Sequence, residues 1–193
     1  EDVWGLALPY FHVGGDSIPV RASLSASRVA DFNDKWDARK FHKWLVQERV
    51  TLLSLVPTQL FDLIEAGFKS PTSLRALVVG GARLEQSLHD RAIEKGWPVL
   101  QSYGLTECCS QVATALPASD GMVLDTLDHI EVKTDRDRRL MIRSPALLTA
   151  RIAFDRSLQP SLEFPIDENG WFKTTDRALI KRTALSDGLH HHL

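Results

Sequence analysis

Four stretches of this chain hold residue types and spacings that could do chemistry. They are Pro9-Tyr10-Phe11-His12-Val13-Gly14-Gly15, Pro57-Thr58-Gln59, Gly80-Gly81-Ala82-Arg83 and Ser102-Tyr103-Gly104-Leu105-Thr106-Glu107. Each is polar or glycine-rich, and each follows an apolar run that reads as a strand. In open parallel sheets, ligands bind at the carboxyl ends of the strands. If these strands are near neighbours, the four loops meet on one edge of the sheet. Together they offer a flat aromatic ring, small residues that let a planar ligand reach the backbone, a hydroxyl and one carboxylate. That set suits a nucleotide and a divalent cation gathered in a single hollow.

Taken one at a time, the same residues have plainer explanations. Gly80-Gly81 belongs to neither a G-x-x-x-x-G-K-[ST] nor a G-x-G-x-x-G motif, and on spacing alone it is a tight turn leaving a buried strand. Tyr103 is one of two tyrosines and reads by default as a half-buried ring. Glu107 alone reads as a solvated carboxylate. His12, between Phe11 and Val13, serves at least as well as a hydrogen-bonded structural histidine. No G-x-S-x-G elbow is present, which leaves a serine hydrolase little support. A carboxylate beside Cys108 does not lower its pKa, which argues against a cysteine nucleophile. The run His190-His191-His192 lacks metal-ligand spacing, because consecutive strand side chains face opposite ways.

The elements that must position these loops alternate strand with helix. Residues 3–8 form an apolar strand stopped by Pro9, and Gly14-Gly15 opens a segment to about Ser25. Asp37 caps a helix over 38–48, with Phe41, Trp44, Leu45 and Glu48 at helical spacing. Residues 51–56 are a buried strand, and Pro57 suits the first turn of the helix that follows. Residues 74–79 are another buried strand, 84–95 a helix ending before Gly96, and 97–101 a strand leading into a loop over 102–107. Strands separated by such helices argue for an α/β fold with a parallel, helix-covered sheet. Near Pro117-Ala118-Ser119-Asp120-Gly121 the pattern changes. Short strands follow at 129–134, 140–143, 148–154, 171–173 and 178–182, with a hairpin loop at 135–139 and a turn at Asp167-Glu168-Asn169-Gly170. The expected division is an α/β part over 1–118 and a small β-rich subdomain over 119–193.

Composition narrows the classes. Of 193 residues, 44% are hydrophobic and 25% charged, an ordinary globular mixture that excludes a disordered, collagen-like or coiled-coil chain. Lys plus Arg is 23 and Asp plus Glu is 25, giving a formal net charge of -2. No overall bias toward nucleic acid or an anionic membrane follows from that balance. No apolar run approaches the roughly 18 residues of a membrane span, and no signal peptide is visible. The two cysteines, Cys108 and Cys109, are neighbours and cannot form an ordinary staple, so a reduced, cytoplasmic setting is expected. Both ends read as cut, since the chain starts in an apolar run and stops at Leu193 with no cap.

The combination of segments is more specific than any one of them. The run Tyr103-Gly104-Leu105-Thr106-Glu107 resembles the adenylate-forming enzymes, a superfamily of acyl-CoA synthetases, adenylation domains and luciferases. Three more segments match it in order. Residues 8–15 resemble its proline-to-histidine loop, residues 77–84 its adenine-contacting turn, and Gly170-Trp171-Phe172-Lys173-Thr174-Thr175-Asp176 its ribose-binding segment. Within it, residues 54–60 and 170–177 are closest to the branch of acid–CoA ligases that activates o-succinylbenzoate in menaquinone biosynthesis. Thr175 stands where the family usually has glycine, and residues 123–130 lack its usual glycine-proline turn.

The resemblance implies a two-step ligase reaction with ATP, Mg²⁺ and a carboxylate, in which CoA takes the acyl group. It assigns adenine to the backbone of Gly81 and Ala82 with Tyr103 against the base, the α-phosphate to Thr106, Mg²⁺ to Glu107 and the ribose hydroxyls to Asp176. His12 would lie by the reacting carboxylate. Arg21 is the candidate for the second carboxylate of o-succinylbenzoate, with a surface arginine as the even alternative, and Ser54, Thr58 and Ser102 would line the acyl pocket. The implied partners are small molecules, with a homodimer as one assembly. The family's phosphate-gripping loop would lie before residue 1, and its small C-terminal domain, reached through a hinge, after residue 193. Alone, the 193-residue chain is therefore expected not to catalyse adenylation. Two alternatives stand beside this reading: a synthetase for another aryl or fatty acid, and a non-catalytic scaffold that has kept a nucleotide pocket.

Overall fold

Five short strands carry the first part of the chain: β1 Val3–Leu6, β2 Arg28–Asp31, β3 Leu52–Leu55, β4 Ala76–Val79 and β5 Val99–Leu105. The computed structural model describes residues 1–116, 123–185 and 188–192. The five strands pair in parallel in the order β2-β1-β3-β4-β5. Helices α1 Val13–Leu24, α2 Ala38–Gln47, α3 Pro57–Glu65 and α4 Gln86–Glu94 make the crossovers. Local chemistry sets their starts. The Asp37 carboxylate accepts from Lys40 N at 2.9 Å, and Pro57 opens α3, where a missing N–H is harmless.

Because the chain winds from β1 out to β2 and then back past β1 to β3, right-handed crossovers put α1 on one face and α2, α3 and α4 on the other. The main core follows. Phe41, Leu45, Leu60, Leu63, Ile64, Leu88 and Ala92 from those three helices close over Leu53, Leu55, Leu77, Val79 and Val99 from the strands. Fully burying one such side chain contributes about 1.5–3 kcal/mol.

Beyond β5 the sheet turns antiparallel. Strands β6 Ser110–Thr114, β7 Asp125–Thr126, β13 Lys181–Leu185 and β14 Gly188–His192 extend it to β13-β14-β7-β6-β5-β4-β3-β1-β2 among the described residues. A separate antiparallel sheet, β12-β9-β8, is built from β8 Glu131–Thr134, β9 Arg139–Arg143 and β12 Phe172–Arg177, and a hairpin pairs β10 Arg151–Phe154 with β11 Pro160–Glu163. The expected turns form at 135–139 and 167–170, each held by one aspartate. Asp135 accepts from Asp137 N and Arg139 N, and Asp167 accepts from Asn169 N and Trp171 N. The parallel, helix-covered sheet with a β-rich part after it agrees with the sequence expectation. The change of pattern expected at 117–121 lies outside the described residues.

One expectation is corrected, and one strand was not foreseen. Residues 102–105 are not loop: they continue β5, because β6 returns to pair with them, Ser102 opposite Thr114 and Leu105 opposite Ser110. The loop shrinks to a 3₁₀ turn, Thr106–Cys108. Strand β2, with only four residues and two of them charged, carries no sequence signal and forms because β1 offers it a parallel edge.

The β5–β6 return is tight. A register shift falls between Tyr103 and Gly104, and a Cβ on Gly104 would lie 1.7 Å from the Ser110 carbonyl oxygen. No rotamer relieves a clash between backbone atoms. Gly104→Ala is therefore expected to destabilise the fold by about 3 kcal/mol, read as a lower urea midpoint, whereas Gly14→Ala, whose Cβ would meet only Leu8 Cδ1 at 3.5 Å, shifts it far less.

Candidate functional site

The order β2-β1-β3-β4-β5 reverses direction between β1 and β3, the kind of switch point where α/β sheets open a crevice at their carboxyl ends. A cavity of about 560 Å³ lies there. Its walls come from the loop after β1, the ends of β3 and β4, the end of β5 and the turn that follows it. Of the residues singled out from sequence, His12, Arg21, Ser54, Gly81, Ser102, Thr106 and Glu107 line it. Thr58, Ala82, Tyr103 and Asp176 are not among its lining residues.

The helix α1 supplies one side. His12 precedes its first turn, and its carbonyl accepts from Gly15 N and Asp16 N, both at 2.9 Å. The exposed imidazole lies against Phe11, with ring centroids 4.9 Å apart. Gly14 and Arg21 are seven residues apart, two turns of one helix face, and both reach the cavity. Arg21 is half-buried, and loss of hydration pulls its guanidinium pKa down. Among the described residues no carboxylate pairs with it. A guanidinium taken partly out of water without a counter-ion is a ready site for an anion.

The turn after β5 supplies the opposite side. Gly81, at the end of β4, has φ +81°, a conformation glycine adopts without strain. Thr106 and Glu107 open the 3₁₀ turn, and then Cys109 (φ 50°) and Ser110 (φ 93°) take left-handed conformations that cost most residues energy. Two backbone and side-chain ties hold the turn: Leu148 N donates to Glu107 O at 2.9 Å, and Arg151 Nη2 stands 4.0 Å from Glu107 Oε1. Among the described residues no cluster of three or more His, Cys, Asp or Glu is placed to hold a metal. One carboxylate suits Mg²⁺ all the same, since that ion commonly takes one or two protein carboxylates and completes its shell with phosphate and water. Cys108 is buried, and burial pushes its thiol pKa up, away from the nucleophilic range.

Tyr103 of β5 and Asp176 of β12 meet directly. Ser102, Gly104 and Leu105 of β5 line the cavity, and Tyr103 packs against Cys108, Val112 and Ala113. Its hydroxyl donates to Asp176 Oδ2 at 2.7 Å, joining β5 to β12. Asp176 N in turn donates to Thr174 Oγ1 at 3.1 Å. Burial first, and then the neighbouring Asp176 carboxylate, raise the Tyr103 phenol far above its ordinary value. Thr106 and Glu107 share the cavity, and Tyr103 and Asp176 are bonded to each other, β5 to β12. Sequence reasoning missed Ser110 and Gln111, which also line the cavity. Only the return of β6 brings them there, and the sole hint was a Ser-Gln-Val-Ala-Thr run just after the Glu107 turn.

Comparison with known proteins is consistent across sequence and structure. The family described as "AMP-binding enzyme" matches residues 1–135. The 2-succinylbenzoate–CoA ligase of Bacillus subtilis (strain 168) is 30% identical over 189 residues, covering 91% of this chain and 38% of that protein. Its counterpart in Staphylococcus aureus (strain MRSA252) is 30% identical over 191 residues, covering 92% and 36%. The solved o-succinylbenzoate CoA synthetase of Bacillus subtilis in complex with its acyl-adenylate intermediate superposes with a TM-score of 0.74 at 27% identity, over 100% of this chain and 40% of that one. The same synthetase in complex with ATP and a magnesium ion gives 0.72 at 26%, over 100% and 41%. The chain therefore spans about two fifths of the length of these relatives.

The Tyr103–Asp176 bond has a measurable signature. A phenol whose pKa is raised on folding supports the fold fully below the unfolded value of 10.0 and loses that support as pH climbs toward the folded value. Tyr103→Phe is expected to be less stable than the parent by about 1 kcal/mol at neutral pH. Thermal melts across pH should show that gap constant up to about pH 10 and shrinking above it.

Proposed function

The chain belongs to the AMP-binding enzyme family, and from that premise we propose that the whole protein activates a carboxylic acid with ATP and passes it to CoA. A carboxylate oxygen attacks the α-phosphorus of ATP, forming the acyl–phosphate bond while pyrophosphate leaves. The CoA thiolate then attacks the acyl carbonyl, forming the thioester while AMP leaves. The first step builds charge on the α-phosphate oxygens, so fixed donors and a positioned acid do most of the work. Thr106, whose hydroxyl makes no hydrogen bond among the described residues, is free to donate there. Glu107 would hold Mg²⁺, which when bound neutralises phosphate charge.

In the same reading the backbone at Gly81 and Ala82 faces the adenine and Tyr103 lies against the base. Asp176 takes the ribose hydroxyls, its second oxygen open among the described residues while Oδ2 accepts from Tyr103. The acid occupies the cavity, with its reacting carboxylate near His12 and with Ser54, Thr58 and Ser102 along or beside the wall. Residues 1–118 act as the α/β part of the nucleotide-binding domain and 119–193 as its β-rich subdomain.

The observation that carries the choice of substrate is Arg21. A half-buried guanidinium on the cavity wall, unpaired among the described residues, calls for a second negative charge at some distance from the activated carboxylate. An aromatic dicarboxylate such as o-succinylbenzoate meets that demand, and the sequence relatives bear the name of that acid. Such a ligase would serve menaquinone biosynthesis. Two cysteines not joined to each other fit a reducing cytoplasm, and no described helix is long and apolar enough to cross a membrane.

ATP–pyrophosphate exchange by the whole protein against a panel of carboxylic acids tests the proposal. Exchange should depend on the acid and be strongest with o-succinylbenzoate; exchange best supported by a fatty or simple aryl acid would replace that substrate, and no acid-dependent exchange would reject the reaction. Arg21→Ala should raise the apparent KM for the dicarboxylate about 10- to 100-fold, the loss of one charged hydrogen-bonded contact, with the KM for ATP unchanged.

A further inference from the structure

Between β1 and β3 the ladder ends early. Strand β3 pairs with β4 as far as Leu55 opposite Val79, but with β1 only as far as Gly5 opposite Leu53. The two strands part where the chain order reverses, and the cavity opens into that gap. Among the described residues, one side chain is hydrogen-bonded across it. Gln59, in the first turn of α3, accepts from Val56 N through Oε1 at 3.1 Å and donates Nε2 to Ala7 O at 3.4 Å. Its amide does for the splayed strand ends what a peptide group does inside a ladder, with an acceptor for one strand and a donor for the other.

The two bonds have different reach. The bond to Val56 is local and caps α3, an ordinary use of a glutamine at this helix position. The bond to Ala7 ties residues 52 positions apart. Ala7 leads directly into Leu8 and Pro9, which line the cavity, while Val56 follows Ser54 and Leu55, which line it from the other side. Within its own loop the Leu8-Pro9 turn is fixed toward α1: Pro9 O accepts from His12 N at 3.1 Å, and Gly15 packs so closely that a Cβ there would lie 2.3 Å from Pro9 O. Toward β3, past the last ladder pair, Gln59 is, among the described residues, the side chain that bridges the strand ends.

We infer that Gln59 is a positioning residue that sets the width of the cavity at the switch point, and with it the grip on the acyl group. This rests on the acid-activating reading above. Gln59 touches no reacting atom in that reading; it acts through the Leu8-Pro9 turn and the β3 wall.

Two variants separate this role from simple helix capping. Gln59→Glu keeps an acceptor for Val56 N but has no donor for Ala7 O, and Gln59→Met loses both. In the whole protein each should raise the KM for the acid about five- to tenfold, the scale of one lost hydrogen bond, while the KM for ATP stays within about twofold. Hydrogen exchange on the unliganded protein supplies a second readout that needs no activity. The His12 amide should exchange faster in both variants, and the Val56 amide faster only in Gln59→Met. Unchanged His12 exchange in Gln59→Glu, or a lowered melting temperature with both KM values unchanged, would overturn the inference. If the whole protein activates no acid, the proposed function falls, and the exchange pattern still decides whether Gln59 spans the gap.

Discussion

The fold and its candidate site both depend on how closely β6 returns beside β5. Strand β5 is the last strand of the parallel set and the first of the antiparallel one. It can be both because Gly104 lets the Ser110 carbonyl approach to where a side chain would otherwise sit. That approach forces the chain round in a 3₁₀ turn and two left-handed residues, which puts Thr106 and Glu107 at the cavity. It also gives β5 two working sides. One, with Ser102 and Gly104, faces the cavity. The other, with Tyr103, faces the β-rich part, where Cys108 and Val112 join Ile130, Val132, Leu140 and Ile142 in a second buried cluster. The turn that carries the chemistry is thereby supported from beneath by a core of its own.

Charge is distributed around that frame unevenly. Most ion pairs among the described residues are exposed pairs such as Arg28–Glu48 and Lys40–Asp34, which contribute little to stability. At the cavity the pattern differs. Arg21 has no carboxylate beside it among the described residues, and Glu107 has one guanidinium at 4.0 Å rather than in contact. Unpaired charge at a concave surface is costly to keep and is common where a ligand brings the missing counter-charge. The opposite arrangement holds between β5 and β12, where Asp176 and Tyr103 satisfy each other. That bond orients the carboxylate, and among the described residues its other oxygen accepts no hydrogen bond.

Much of this was legible in the sequence because the informative signals are local. The Asp37 cap, Pro57 at a helix start and the aspartate-held turns at 135–139 and 167–170 each depend on a side chain bonding to backbone a few residues away. The aliphatic runs of β1, β3 and β4 are legible because a strand covered on both faces has little need of polar residues. What failed was nonlocal. Strand β2 is half polar and exists through its partner β1, and residues 102–105 looked like a loop because their glycine and polar residues hid an antiparallel partner still to come.

The chain's own residues determined which chemical groups are present and the order in which they come: a glycine pair after one strand, the Tyr103–Glu107 run after another, Asp176 far beyond. Tertiary structure decided which of them share a surface. It placed Arg21 with Glu107 in one cavity, bonded Tyr103 to Asp176 across β5 and β12, and brought in Ser110 and Gln111 unannounced. The reason is geometric. Successive side chains on a strand face opposite ways, so the face a residue serves depends on where pairing begins and shifts, and a single register change at Gly104 is set by backbone contact rather than by composition.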